Sequence, residues 1–241
     1  MANPARVLSR VSSVTAFGEG IYEVTFSTPS RYTRYRPGQF LHLTLDAFDP
    51  STGYWPESRV FSIAAEPRQE YVSIVYSVRG SYTKRMEQEL HPGKEVWLKF
   101  PYGDFVIADD LLEQGPVVLI AGGTGVSPYR PFLKAQSDRT GEVHLFYGVR
   151  RPEHVLFTDD LTMLSEFPWF HLHLMVEDGK TNNLPMQKGR LSIDLVVREL
   201  GTSMDKSNFF LSGPPAMIQA FKQDLLTKNI SARQIHIDEW E

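Results

Sequence analysis

Polar and apolar positions alternate through roughly the first hundred residues, and past about residue 109 the pattern changes to unbroken apolar runs. Alternation is clearest in Tyr22–Phe26, Phe40–Leu45, Tyr71–Val78 and Glu95–Phe100, runs rich in valine, isoleucine and aromatics. Turn-forming residues separate them: Arg36-Pro37-Gly38, Pro50-Ser51-Thr52-Gly53, His91-Pro92-Gly93 and Pro101-Tyr102-Gly103. A period of two between such turns marks half-buried strands, and several at this spacing predict an antiparallel sandwich or barrel. One helix is expected to interrupt them, Tyr82–Leu90.

Val117–Ala121 is apolar without alternation, as in a parallel strand covered on both faces. A glycine-rich turn follows, then a helical stretch over Tyr129–Gln136. Strands are expected at Glu142–Tyr147, Phe170–Val176 and Asn208–Leu211, and helices at Thr158–Ser165 and Leu191–Glu199. This alternation predicts a doubly wound parallel sheet. The expected class is thus β followed by α/β: an antiparallel Greek-key barrel over residues 1–108, then a parallel-sheet domain over 109–241, with the boundary inside Asp104–Pro116. No internal repeat or low-complexity stretch is evident.

Composition removes several classes of function. The chain has 241 residues and a net charge of −4, which gives no general attraction to nucleic acid or anionic membrane. Val117–Ala121, its longest apolar run, falls far short of the roughly 20 residues that span a bilayer. The first residues, MANPARVLSRVSS, carry basic groups without an apolar segment, so no secretory leader is expected and a cytoplasmic location follows. Cysteine is absent, which excludes disulfides, thiolate-held clusters and a thiol nucleophile. Redox chemistry on this chain therefore needs an organic cofactor. His171 and His173 alternate along a predicted strand; as an isolated pair without further ligands they give no expected metal site.

The turn Ala121-Gly122-Gly123-Thr124-Gly125-Val126-Ser127-Pro128 joins a buried-type strand to a helix. Glycines there let backbone approach a pyrophosphate, and a helix N-terminus offers N–H groups to its charge. Thr124 and Ser127 can add hydroxyls, and Pro128 suits a first helical turn. A tight turn with no ligand remains an alternative, since the spacing matches neither G-x-G-x-x-G nor the P-loop.

Three more stretches, in order along the chain, change the picture: Arg59-Val60-Phe61-Ser62, Ser212-Gly213-Pro214-Pro215-Ala216-Met217, and Ile235 to Trp240. With the glycine turn among them, the set resembles the ferredoxin–NADP reductase family across essentially the whole chain. That resemblance implies a stand-alone two-domain flavoprotein without an iron–sulfur domain, FAD in preference to FMN as cofactor, and NADH or NADPH as co-substrate. It implies that Arg59 clamps a flavin phosphate, that Phe61 lies on the flavin, and that Ser62 bonds the hydride-accepting N5. Gly80-Ser81-Tyr82-Thr83 resembles the second phosphate motif, and Tyr76, Ser77 and Val78 match the stretch against the ribityl and adenosine portions. Pro101–Phe105 resembles the turn that closes the flavin barrel.

In the second half, Gly213, Pro214 and Pro215, with Met217 behind them, resemble the turn beside the nicotinamide. The family usually has cysteine just before that turn, where this chain has Ser212. Asp238 falls where a C-terminal glutamate helps protonate or orient the flavin site, and Trp240 where a terminal aromatic covers the flavin. Val176-Glu177-Asp178-Gly179 occupies the place of 2′-phosphate-binding residues. Its carboxylates would repel a phosphate, so NADH is expected, with Arg150 and Arg151 as the opposing cations. The implied activity is hydride transfer from the nucleotide to bound FAD, then to a separate redox protein such as a ferredoxin or oxygenase component. A free-flavin reductase and an electron-transfer or regulatory subunit of a larger redox complex are the alternatives.

Overall fold

The structure, a computed structural model, describes residues 4–108, 110–135, 141–179 and 185–238. Strands β1 (Ala5–Ala16), β2 (Ile21–Ser27), β3 (Phe40–Thr44), β4 (Arg59–Ser62), β5 (Tyr71–Ser77) and β6 (Glu95–Tyr102) form an antiparallel sheet in the order β4-β3-β6-β1-β2-β5. Its edges nearly meet: the Ala64 N–H donates to the Ser73 carbonyl (2.8 Å), and Ile63 bridges to Ile74. Inward positions recur every second residue, as the pleat requires. Val7, Val11, Val24, Phe26, Leu41, Leu43, Val72, Ile74, Val96 and Leu98 thereby fill one core. Helix α1 (Ser81–Glu89) closes it with Tyr82 and Met86.

The second sheet is parallel and follows the short α2 (Leu111–Gln114). It comprises β7 (Val117–Gly122), β8 (Val143–Val149), β9 (Phe170–Val176), β10 (Met186–Lys188), β11 (Asn208–Ser212) and β12 (Ile235–Ile237), ordered β10-β9-β8-β7-β11-β12. Between them run α3 (Arg130–Lys134), α4 (Thr158–Leu164), α5 (Ile193–Leu200) and α6 (Pro215–Thr227). Val118 and Ile120 point toward α5 and α6, yet Val117 and Leu119 on the opposite face are equally inaccessible. This two-sided burial explains the missing alternation in the sequence. The strand order reverses between β7 and β11, the switch point where ligands of such sheets bind.

Two compact units result: Met1–Val106 with Ser127–Ala135, and Ile107–Val126 with Gln136–Glu241. None of the helices among the described residues is long and apolar enough to cross a membrane.

The structure corrects the reading of the glycine turn's exit. Gly123–Tyr129 is a 3₁₀ stretch with Pro128 inside it, so Pro128 lies ahead of the first turn of α3 and not within it. The proline in the first turn of α3 is Pro131. Two long elements were also unread: β1, and α6 with Pro215 at its first position.

Candidate flavin and nucleotide sites

In the antiparallel unit, β4 is short and pairs with β3 from Arg59↔Leu43 to Ser62↔Phe40. The Arg59 guanidinium is exposed, lies 4.6 Å from the Tyr82 ring centroid, and donates to Glu57 at 2.8 Å. Tyr82 belongs to the first turn of α1, so a forked cation stands beside a helix N-terminus. That turn carries no acidic side chain, and a Cβ built on Gly80 would meet nothing within 4 Å. The first N–H groups of a helix have no intrahelical acceptor and attract anions. Arg59 and α1 therefore fit a phosphate group, from an arginine fork on one side and a helix dipole on the other.

The remaining residues of this group divide by role. Thr83 Oγ1 accepts from the backbone N–H of Gly80 (3.0 Å) and Arg79 (2.9 Å), capping its own helix. Tyr82 is buried, with its hydroxyl donating to the Leu43 carbonyl (2.9 Å) and accepting from the Leu45 N–H (3.3 Å). Burial raises its pKa, so the phenol stays a neutral hydrogen-bonding group. Phe61 sits in the core edge-on to Tyr76 (6.3 Å), and Tyr76 stacks on Tyr22 (5.5 Å). Ser62 is buried and Val60 half-buried at the end of β4. Ser77 pairs with Ile21, and the Val78 N–H donates to the Gly20 carbonyl (2.8 Å), which leads the chain into the exposed Gly80-Ser81 corner.

In the parallel unit, the carboxyl ends of β7, β8, β9 and β11 share one edge. The residues Gly122–Gly125, Arg150-Arg151, Glu177-Asp178 and Gly213-Pro214 are all gathered there. Asp178 N–H donates to the Arg150 carbonyl (2.8 Å), which ties two of these loops together. Arg190, which the sequence did not single out, pairs with Glu177 at 3.3 Å, and Arg151 with Glu153 at 3.7 Å. Two glycines are fixed by close approach. A Cβ on Gly125 would lie 2.4 Å from the Ser212 carbonyl oxygen, and Gly213 holds a φ of +147° with its Cβ direction 2.9 Å from Gly122 N. The two turns thus touch backbone to backbone. Thr124 is half-buried, while Ser127 and Pro128 are buried. Pro214 caps α6, and Met217 packs near Gly122.

Parallel pairing of β11 with β12 brings Asp238 under Ser212, 26 positions away. Ser212 Oγ donates to Asp238 Oδ2 at 2.9 Å, and the Asp238 N–H to the Leu211 carbonyl at 2.9 Å. Both side chains are buried. The hydroxyl is thereby given a fixed direction. Replacing Ser212 with alanine removes one donor from a buried carboxylate, a change expected to cost about 1–3 kcal/mol. Urea unfolding of the variant checks this, and an unchanged midpoint would show the bond to be idle. Trp240 lies outside the described residues.

Two family models match the chain. Residues 7–155 match the family model described as FAD-binding domain, and residues 119–223 match the oxidoreductase NAD-binding domain. The reductase component of propane 2-monooxygenase from Rhodococcus jostii is 26% identical over 97% of this chain and 63% of its own length. The chain therefore spans less than two thirds of that relative. Sulfhydrogenase 2 subunit gamma from Pyrococcus furiosus is 27% identical over 84% of this chain and 71% of the relative. A cytochrome P450 reductase from Amycolatopsis superposes with a TM-score of 0.82 at 24% identity, over 98% of this chain and 70% of that one, which speaks to the fold. With family models matched over both units, the chain belongs to the ferredoxin-reductase-like family of two-domain FAD- and NAD-binding oxidoreductases.

Proposed function

We propose that the chain takes hydride from NADH onto bound FAD and passes the electrons to a separate redox protein. The observation that carries this reading is the Arg59 guanidinium set beside the acid-free N-terminus of α1, a built cradle for flavin phosphate. Bound flavin supplies the ability to accept a hydride and release electrons singly. In this reading Arg59, the Gly80–Thr83 corner and the Tyr76–Val78 strand end hold the cofactor, with Phe61 against the flavin. Ser62 orients it at N5. The Gly122–Gly125 turn receives the nucleotide pyrophosphate, and Gly213–Pro215 borders the nicotinamide. Ser212, directed by Asp238, would fill the space beside the reacting carbon without acting as a nucleophile, and Trp240 would be the aromatic that covers the flavin. Residues 1–108 and 109–241 are the proposed flavin and nucleotide domains, and the cytoplasm the proposed location.

One of the named relatives is the reductase component of a monooxygenase, which supports a protein acceptor. A relative named as a sulfhydrogenase subunit favours, as a second reading, service as the electron-transfer subunit of a larger complex. A screen of NADH oxidation with ferredoxins, other redox proteins and free flavin separates these. Turnover with an iron–sulfur protein supports the first reading, and turnover only with added free flavin overturns it.

The cations at the sheet edge bear on nucleotide choice. Glu177 and Asp178 set two carboxylates at the end of β9, where they would repel a 2′-phosphate, and the Arg190 guanidinium at this edge lies 3.3 Å from Glu177. NADH should therefore exceed NADPH in kcat/KM by about tenfold or more, a difference of about 1.4 kcal/mol. The opposite preference would refute the assignment.

A further inference from the structure

The pair His171 and His173 is not isolated, as the sequence suggested. Parallel register sets His144 beside His171 and Phe146 beside His173. Three imidazoles thus share one face at the amino-terminal ends of β8 and β9, with Glu142 just before β8. We propose that Glu142, His144 and His171 form a binding site for a divalent transition-metal ion, Zn²⁺ by preference, that pins these two strand ends together.

One ligand atom from each of the three residues lies within 4.8 Å of the others. Tetrahedral zinc with bonds near 2.0–2.1 Å sets its ligand atoms roughly 3.3 Å apart. Closing that gap asks for movement of the ligand side chains, and Glu142, 59% exposed, has the most room to move. Imidazole nitrogen with carboxylate oxygen is a donor set that suits zinc.

The surroundings also resemble a supported ligand set. His144 Nδ1 lies 3.3 Å from His173 Nε2, and His173 Nδ1 lies 3.9 Å from Glu199 Oε2. When His144 Nδ1–H donates to His173, its Nε2 lone pair faces Glu142 Oε2 at 3.8 Å. In that tautomer the Nε2 lone pair is available to a cation placed between it and the carboxylate. A ligand histidine whose other nitrogen is held by a neighbour is the usual outer-shell pattern.

The site is separate from the nucleotide edge. His144 stands at the second position of β8, five residues before its carboxyl end at Val149, roughly 16 Å at strand rise. Its role is structural.

The test is calorimetric titration of the tag-free, chelator-stripped, FAD-loaded chain with Zn²⁺, beside the variants Glu142→Gln, His171→Gln and His173→Gln. One saturable site per chain is expected, weakened about tenfold or more in each variant. FAD content should be unchanged throughout. Glu142→Gln alters an exposed side chain and so tests ligation without threatening the fold. Absence of saturable binding in the parent chain, or equal affinity in parent and Glu142→Gln, would overturn the site and leave the histidines as stacked packing.

Discussion

Replacing Gly125 with alanine is expected to yield a yellow protein that NADH no longer reduces at a useful rate. The added Cβ would sit 2.4 Å from the Ser212 carbonyl oxygen and 2.6 Å from Gly213 Cα. Ordinary non-bonded carbon contacts fall near 3.5–4.0 Å, so the two turns must part by about 1 Å. Both obstructing groups are backbone, and no rotamer change relieves them. Overpacking of this kind costs roughly 1–3 kcal/mol in stability, and a 1 Å misplacement at a site can cost about 100-fold in rate. The proposed flavin-phosphate cradle, Arg59 with α1, belongs to the other unit, so FAD should stay bound and remain reducible by dithionite. Stopped-flow reduction by NADH measures the loss. Wild-type kinetics in this variant would mean that the contact between the turns is unimportant.

The Arg59→Ala variant should show the complementary defect. Arg59 is exposed, with its guanidinium over Tyr82 and paired to Glu57 only at the surface. Exposed pairs of this kind contribute little to folding, so the variant should fold. A charge-assisted bond to phosphate is worth about 1.5–3 kcal/mol. Its removal should weaken FAD by roughly ten- to hundredfold. Equilibrium dialysis of the apoprotein measures this directly. Arg59→Lys should recover part of the affinity, since it keeps the charge and loses the fork. Unchanged FAD affinity in Arg59→Ala would remove Arg59 from the cradle.

Elements whose pattern is local were legible. The four alternating runs and the Val117–Ala121 run became β2, β3, β5, β6 and β7 within a residue or two. β1 was missed because its inward register includes Ser9, which is satisfied by Thr28 at 3.0 Å, a partner 19 residues away. α6 was missed because Gly213-Pro214-Pro215 reads as a turn, although proline at the first helical position is favourable.

The site followed the same rule. Residues next to one another in sequence, Arg59–Ser62 and Gly122–Gly125, could be named as groups. The Ser212–Asp238 bond and the His144–His171–Glu142 cluster depend on strand register, which no local period encodes. The role of Gly125 also needed the fold, since its neighbour is the backbone of β11.

Anaerobic addition of NADH to the purified chain, followed through the flavin absorbance, tests the central claim most directly. The expected result is stoichiometric bound FAD that bleaches with one equivalent of NADH and recovers when a one-electron acceptor protein is added. A chain that binds no FAD, or whose bound FAD is untouched by either NADH or NADPH, would contradict it.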